Sequence, residues 1–177
     1  TITYTITPES NPNGCTGDNF TYIVTVNPEP VGSNATGNTC SDAALDYSLQ
    51  GNINGNNSVT SVFTYTVTSS DEPNVPAAAA RVAATSANIT DTYTNLTGAA
   101  VTITYTVTPA SNPAGCTGSN FTYIVTVNPE PVGSNATATT CSDIALDYNL
   151  QGNINGNNSV ASLFTYTVTS SDQPNVP

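Results

Sequence analysis

The chain has no lysine, histidine, methionine or tryptophan, and Arg81 is its only cation against twelve Asp and Glu. Each absence removes a class of function. Without Lys and Arg there is nothing to neutralise phosphates, so nucleic-acid binding is excluded, and so is polybasic attachment to an anionic membrane. Without lysine no Lys–Asn isopeptide cross-link can form. Without histidine the usual imidazole acid–base and zinc chemistry is missing. No apolar run reaches the roughly 20 residues of a membrane-spanning helix, so direct membrane insertion is not expected. With no methionine present, the 177 residues are expected to be a window on a longer polypeptide.

What is present is repetition. "NFTYIVTVNPEPVGSNAT" runs from Asn19 to Thr36 and again from Asn120 to Thr137. A spacing of 101 residues separates Cys15 from Cys116 and Cys40 from Cys141, and "LQGNINGNNSV" at Leu49–Val59 returns at Leu150–Val160. That period is the size of a small domain and exceeds the 20–50 residues of a solenoid rung, so each unit should own a core. "NPEP" offers two prolines that cannot donate to a sheet ladder. It places the inter-repeat joint at Asn27, Pro28, Glu29 and Pro30, and again at Asn128, Pro129, Glu130 and Pro131. Residues 1–29 then close a preceding repeat, 30–130 form one complete repeat, and 131–177 open the next.

Period-two alternation of Thr with Val, Ile, Tyr and Phe dominates, the pattern of half-buried antiparallel strands. Strands are expected at Asp42–Gln50, Ser61–Ser69, Asn88–Asn95, Val101–Thr108 and Phe121–Asn128, with one or two more. In "TITYTIT", Ile2, Tyr4 and Ile6 share a face, and in "NFTYIVTVNP" Phe20, Tyr22, Val24 and Val26 do. "GNINGNN" reads as a turn, with Asn54-Gly55 a favoured hairpin dipeptide; Asn13-Gly14 is another, inside a longer loop. Ala77–Ala87 reads as a loop, an irregular edge strand or a short helix. The fold class is all-β: immunoglobulin-like sandwiches of 101 residues, strung as beads along a filament.

Two cysteines per period, with no CxxC and no histidine, point to a disulfide rather than zinc or redox chemistry. A joint at "NPEP" assigns Cys40 and Cys116 to one unit, where a bridge would staple it; a Cys15–Cys40 bridge across the joint is the alternative. Disulfides and polar strands suggest an extracellular location, at the cell surface or in a secreted filament. Asp42 and Asp46 recur as Asp143 and Asp147, four apart on an expected strand, and Asp71 recurs as Asp172 by a turn. Oxygen ligands of this kind suit Ca²⁺, so these six are the candidate calcium ligands; calcium is the one cofactor suggested. Glu9, Asp18 and Glu72 become Ala110, Ser119 and Gln173, so no site can depend on them in both copies. Paired carboxylates alone do not argue for catalysis, and no enzyme activity is expected.

"TCSD" at Thr39–Asp42, "FTYTVTS" at Phe63–Ser69, and the endings "GCTG" and "FTYIVTVNPEP" resemble the PKD-like, immunoglobulin-like tandem repeats of giant secreted cell-surface adhesins of Bacteroidota-type bacteria, gliding-motility adhesins among them. The resemblance implies an extracellular, non-enzymatic stalk with one β-sandwich per repeat. Its expected partners are neighbouring repeats of the same polypeptide, lateral filament contacts, and a surface or glycan ligand. Two other arrangements fit the same residues: repeats that act as glycan- or surface-binding modules, with or without Ca²⁺, and separate subunits joined by strand exchange.

Overall fold

A computed structural model describes residues 1–82 and 88–171. Four strands make the main sheet: β3 (Ala35–Cys40), β5 (Ser61–Ser69), β7 (Val101–Ser111) and β8 (Phe121–Asn128). Before them β1 (Ile2–Ile6) and β2 (Phe20–Val24) form a separate hairpin. β4 (Tyr47–Ser48) pairs with β6 (Asn88–Ile89). Two short helices, α1 (Leu49–Asn54) and α2 (Leu150–Asn155), carry the same sequence, LQGNIN.

The main sheet has the order β3-β8-β7-β5. β7 and β8 pair antiparallel as a hairpin, β5 pairs antiparallel with β7, and β3 runs parallel to β8 from Ala35↔Tyr123 to Cys40↔Asn128. Alternation decides the faces. In β7, Val101, Ile103, Tyr105 and Val107 are buried; in β8, Phe121, Tyr123, Val125 and Val127 are. The intervening threonines meet on the outer face, Thr66 opposite Thr106 and Thr106 opposite Thr122, where β-branched cross-strand pairs support the sheet while keeping it wettable. The inner face is covered by a thin second layer: Leu45, Val75, Tyr93, Ile89 of β6, and Leu49 and Ile53 of α1. The chain is thus mostly β, as expected for the class, with the complete core inside the middle repeat.

The expected strand Asp42–Gln50 is corrected. Only Tyr47–Ser48 is extended, and Leu49–Asn54 is helical. Leu49 and Ile53 are one turn apart, lie on one face, and are both fully buried. The Ser48 hydroxyl caps the helix by accepting the Gly51 N–H at 3.0 Å. Gln50 then holds the following loop, accepting the Ser61 N–H at 2.9 Å and donating to the Val59 carbonyl at 3.2 Å. Asn54-Gly55 is therefore no hairpin turn: Gly55 is the helix C-cap at φ −68. Asn88–Asn95 shortens to Asn88–Ile89, and Val101–Thr108 extends to Ser111. Residues 77–82 are irregular and touch the sheet edge through a reciprocal Tyr65–Arg81 backbone bridge (2.9 and 3.0 Å); the rest of the alanine-rich run lies outside the described residues.

A chain of phenols crosses the core. The Tyr93 and Tyr105 hydroxyls are 2.7 Å apart, and Tyr105 donates to Asp91 Oδ2 at 2.7 Å. Burial raises the phenol pKa values of Tyr65, Tyr93, Tyr105 and Tyr123 above the ordinary value. The folded state then holds these protons more tightly than the unfolded chain. Their stabilising contribution is complete below the unfolded phenol value of about 10 and is lost as pH rises through the higher folded values. Urea midpoints measured from pH 7 to 12 should fall above pH 10 in step with the 295 nm tyrosinate signal.

Candidate functional site

The ends of the middle repeat hold its most specialised polar geometry. The chain arrives at one end: Pro30 is buried, Gly32 lies beneath the Phe121 ring, where a Cβ would come within 2.2 Å, and a Cβ on Gly118 would come within 2.0 Å of the Pro30 carbonyl. The Asn57 carboxamide, just past α1, donates to the Glu29 carbonyl at 2.8 Å and accepts the Val31 N–H at 3.2 Å. The chain leaves at the other end of β8, where the Asn128 side chain donates to the Thr39 carbonyl at 3.1 Å. With a rise of about 3.4 Å per residue, β8 separates arrival from departure by about 24 Å.

At the departure end Asn95 is fully buried. Its amide donates to the carbonyls of Ala99 (3.0 Å) and Val127 (2.9 Å), and its Oδ1 accepts from the Thr97 N–H (3.0 Å) and hydroxyl (2.7 Å). Its own carbonyl accepts the Glu130 N–H at 3.1 Å. Asn95 so shapes the turn 95–99 and ties it to the joint. Onto this turn comes Asn158, the equivalent of Asn57 in the following repeat. Its amide donates to the carbonyls of Glu130 (2.7 Å), Leu96 (3.1 Å) and Thr97 (3.3 Å), and its Oδ1 accepts the Val132 N–H at 3.2 Å. Gly98 permits the approach, since a Cβ there would lie 2.5 Å from the Asn158 carbonyl oxygen. One asparagine side chain thereby clasps two repeats across the joint.

The cysteine pairings expected from sequence are not formed; Cys15, Cys40, Cys116 and Cys141 are all free. Cys40 ends β3 opposite Asn128, whereas Cys116 sits in the β7–β8 loop, where its N–H bonds Ser111 Oγ at 2.9 Å. The length of β8 lies between them, against a Cα separation below about 7 Å for a disulfide. The alternative fails in the same way. Cys15 lies in the β1–β2 loop, at the end of β2 away from the joint, and Cys40 at the end of β3 away from it.

The acidic candidates do not converge. Asp42 and Asp46 are not on a strand: Asp42 is in a turn at φ 61 and accepts from the Thr94 hydroxyl, while Asp46 accepts from Asn88 at 3.5 Å. Asp71 accepts the Asn74 amide at 3.0 and 3.1 Å. Asp143, at φ 63, and Asp147 are exposed, and Asp172 lies outside the described residues. Among the described residues no three His, Cys, Asp or Glu side chains gather where a metal ion could sit. Of the joint residues, Glu29 and Glu130 contribute their carbonyls to the clasps rather than their carboxylates.

A family model described as the PKD-like domain matches residues 1–30 and 37–131. The chain belongs to the PKD-like domain family. The first matched stretch contains the β1–β2 hairpin, and the second contains the main sheet from within β3 onward. No curated protein and no solved structure matches the chain. Sequence reading missed the residues that build the PKD-like joint, Asn57, Asn158, Asn95 and Gly98. The duplicated "GNINGNNSV" was the available signal, but its last asparagine looks like any other turn asparagine until the opposing turn is in place.

Proposed function

We propose that this PKD-like chain is a load-bearing segment of an extracellular stalk, of the kind found in giant secreted surface adhesins, and that it performs no catalysis. One observation carries the reading. The first and last strands of the main sheet, β3 and β8, are parallel neighbours over six paired residues. Tension applied through the joints pulls β3 from its Ala35 end and β8 from its Asn128 end. The β3–β8 hydrogen bonds are then loaded in shear, all together, rather than peeled one at a time. Arrival and departure at opposite ends let repeats follow one another in line, and the Asn158 clasp sits where tension passes between them. The acidic, lysine-free surface suits a secreted filament, and the resemblance to adhesin repeats supplies the class.

Single-molecule pulling tests this. Stretched between its termini, the chain should give one force peak, followed by release of about 300 Å of contour length for residues 35–128. Pulled instead from the native thiol of Cys40 against the C-terminus, both attachments lie at the Asn128 end, and the strands should peel at a force several-fold lower. Equal forces in the two geometries, or extension without a peak, would remove the basis for a load-bearing role.

A further inference from the structure

Residues 49–59 return letter for letter at 150–160, and in each copy an Asn-Gly pair closes the short helix: Asn54-Gly55 and Asn155-Gly156. The fold does not account for the glycine. Gly55 and Gly156 sit at φ −68 and −70, ordinary helical values. A Cβ on either would meet nothing nearer than a carbonyl oxygen at 3.4 Å, so alanine would fit. Asn-Gly is, however, the dipeptide most prone to deamidation, because no side chain screens the glycine nitrogen from the asparagine carboxamide. Each pair also leads into the residue that holds a joint. Three positions on stand Asn57, which clasps Glu29 and Val31, and Asn158, which clasps Glu130 and Val132. The intervening loop hangs on one carbonyl. In the first copy the N–H groups of Asn56, Asn57 and Ser58 all donate to the Ile53 oxygen, at 3.0, 3.0 and 3.1 Å. In the second, those of Asn157, Asn158 and Ser159 donate to the Ile154 oxygen, at 3.0, 3.1 and 3.0 Å.

We propose that Asn54 and Asn155 are deamidation sites whose conversion releases the joint clasps. The backbone nitrogen of Gly55 attacks Cγ of Asn54. A C–N bond forms, ammonia leaves with the proton of that nitrogen, and a five-membered succinimide results. Water then opens either of its two C–N bonds, giving Asp or isoAsp. The net change is one water consumed and one ammonia released, with no oxidant or metal required. The folded helix holds the reaction back. The Gly55 N–H is occupied by the Gly51 carbonyl at 3.1 Å, and Asn54 Oδ1 accepts from Gln50 at 2.8 Å. Gly152 (3.1 Å) and Gln151 (2.8 Å) hold Gly156 and Asn155 in the same way. Conversion therefore proceeds when the last helical turn opens, and its rate follows that opening. IsoAsp is the disruptive product. It adds a methylene to the main chain between the shared carbonyl and the clasping asparagine. The N–H groups gathered on that carbonyl lose their register, and Asn57 or Asn158 is drawn off its joint. The reaction runs one way, so each event leaves a joint permanently looser. This inference rests on the clasp geometry and not on the stalk reading.

Ageing the 177-residue chain at mildly alkaline pH tests it, with isoAsp located by proteolysis, isoaspartyl methyltransferase labelling and mass spectrometry. Both sites should convert in the folded chain. Ser48→Ala, which removes the cap of α1, should raise the rate at Asn54 about five-fold and leave Asn155 unchanged. Gly55→Ala and Gly156→Ala should each slow their own site by at least about ten-fold without disturbing the fold. Amide exchange reads the joints. The Val31 N–H in molecules converted at Asn54, and the Val132 N–H in those converted at Asn155, should exchange at least about ten-fold faster. A folded chain that converts at neither site would overturn the proposal, whatever the urea-unfolded chain does. So would conversion at Asn54 that Ser48→Ala does not accelerate, or conversion that leaves exchange at Val31 and Val132 unchanged.

Discussion

Phe121→Ala destabilises the middle repeat by about 3–5 kcal/mol, whereas Phe20→Ala, a change in the same eighteen-residue motif, moves its unfolding by no more than about 0.5 kcal/mol. The two phenylalanines are identical in local sequence and opposite in environment. Phe121 is 2% exposed, roofs Gly32, and packs among Phe63, Val107 and Tyr123 in one core. Its removal forfeits the transfer free energy of a ring and leaves a cavity that β8, held on both sides by β3 and β7, cannot collapse into. Phe20 is 53% exposed and its β1–β2 hairpin pairs with no other strand, so little is lost. Urea titration followed by tyrosine near-UV dichroism separates the two. Equal losses would mean that the hairpin and the middle repeat share a core, contrary to the boundaries drawn above.

Asn95→Ala comes next in size, at roughly 3 kcal/mol. The substitution leaves the Val127 carbonyl and the Thr97 N–H without the partners described above, and each unpaired buried group costs about 1–3 kcal/mol. Asn95→Asp distinguishes this from a volume effect. The shape is kept, but a carboxylate then faces the carbonyls of Ala99 and Val127, acceptor against acceptor. That variant should be at least as damaged as Asn95→Ala at pH 7 and should regain stability as pH falls and the carboxyl gains a proton to donate. If Asn95→Asp shows the same loss at pH 4 and pH 7, the hydrogen-bond account of this turn is wrong.

Much of the sheet was legible because alternation is a strong signal when one face is dry. Ser61–Ser69 and Phe121–Asn128 run as the pattern indicates. β3 was not legible, since "ATGNTC" is an edge strand with no alternation of large apolar residues. α1 was not legible either, because six residues give a single i, i+4 pair, Leu49 and Ile53, too short a run for helical periodicity to stand out. The cysteine pairing misled for a topological reason. An even cysteine count with one pair per unit does suggest a staple, but the parallel placement of β3 beside β8 sends the two thiols to opposite ends. The joint was located by its prolines, while its chemistry was not. A backbone carbonyl accepting from an asparagine one repeat away leaves no trace in spacing or composition.

The account rests on a built joint that fixes one repeat against the next. Spin labels at Cys40 and at Asn155→Cys, with the other three cysteines changed to serine, report across it by pulsed dipolar spectroscopy. The clasp predicts a narrow distance distribution that broadens markedly when Asn158→Ala removes the three bonds to Glu130, Leu96 and Thr97, or when Gly98→Val blocks the approach. A broad distribution in the unmodified joint, or a narrow one that neither substitution disturbs, would contradict it.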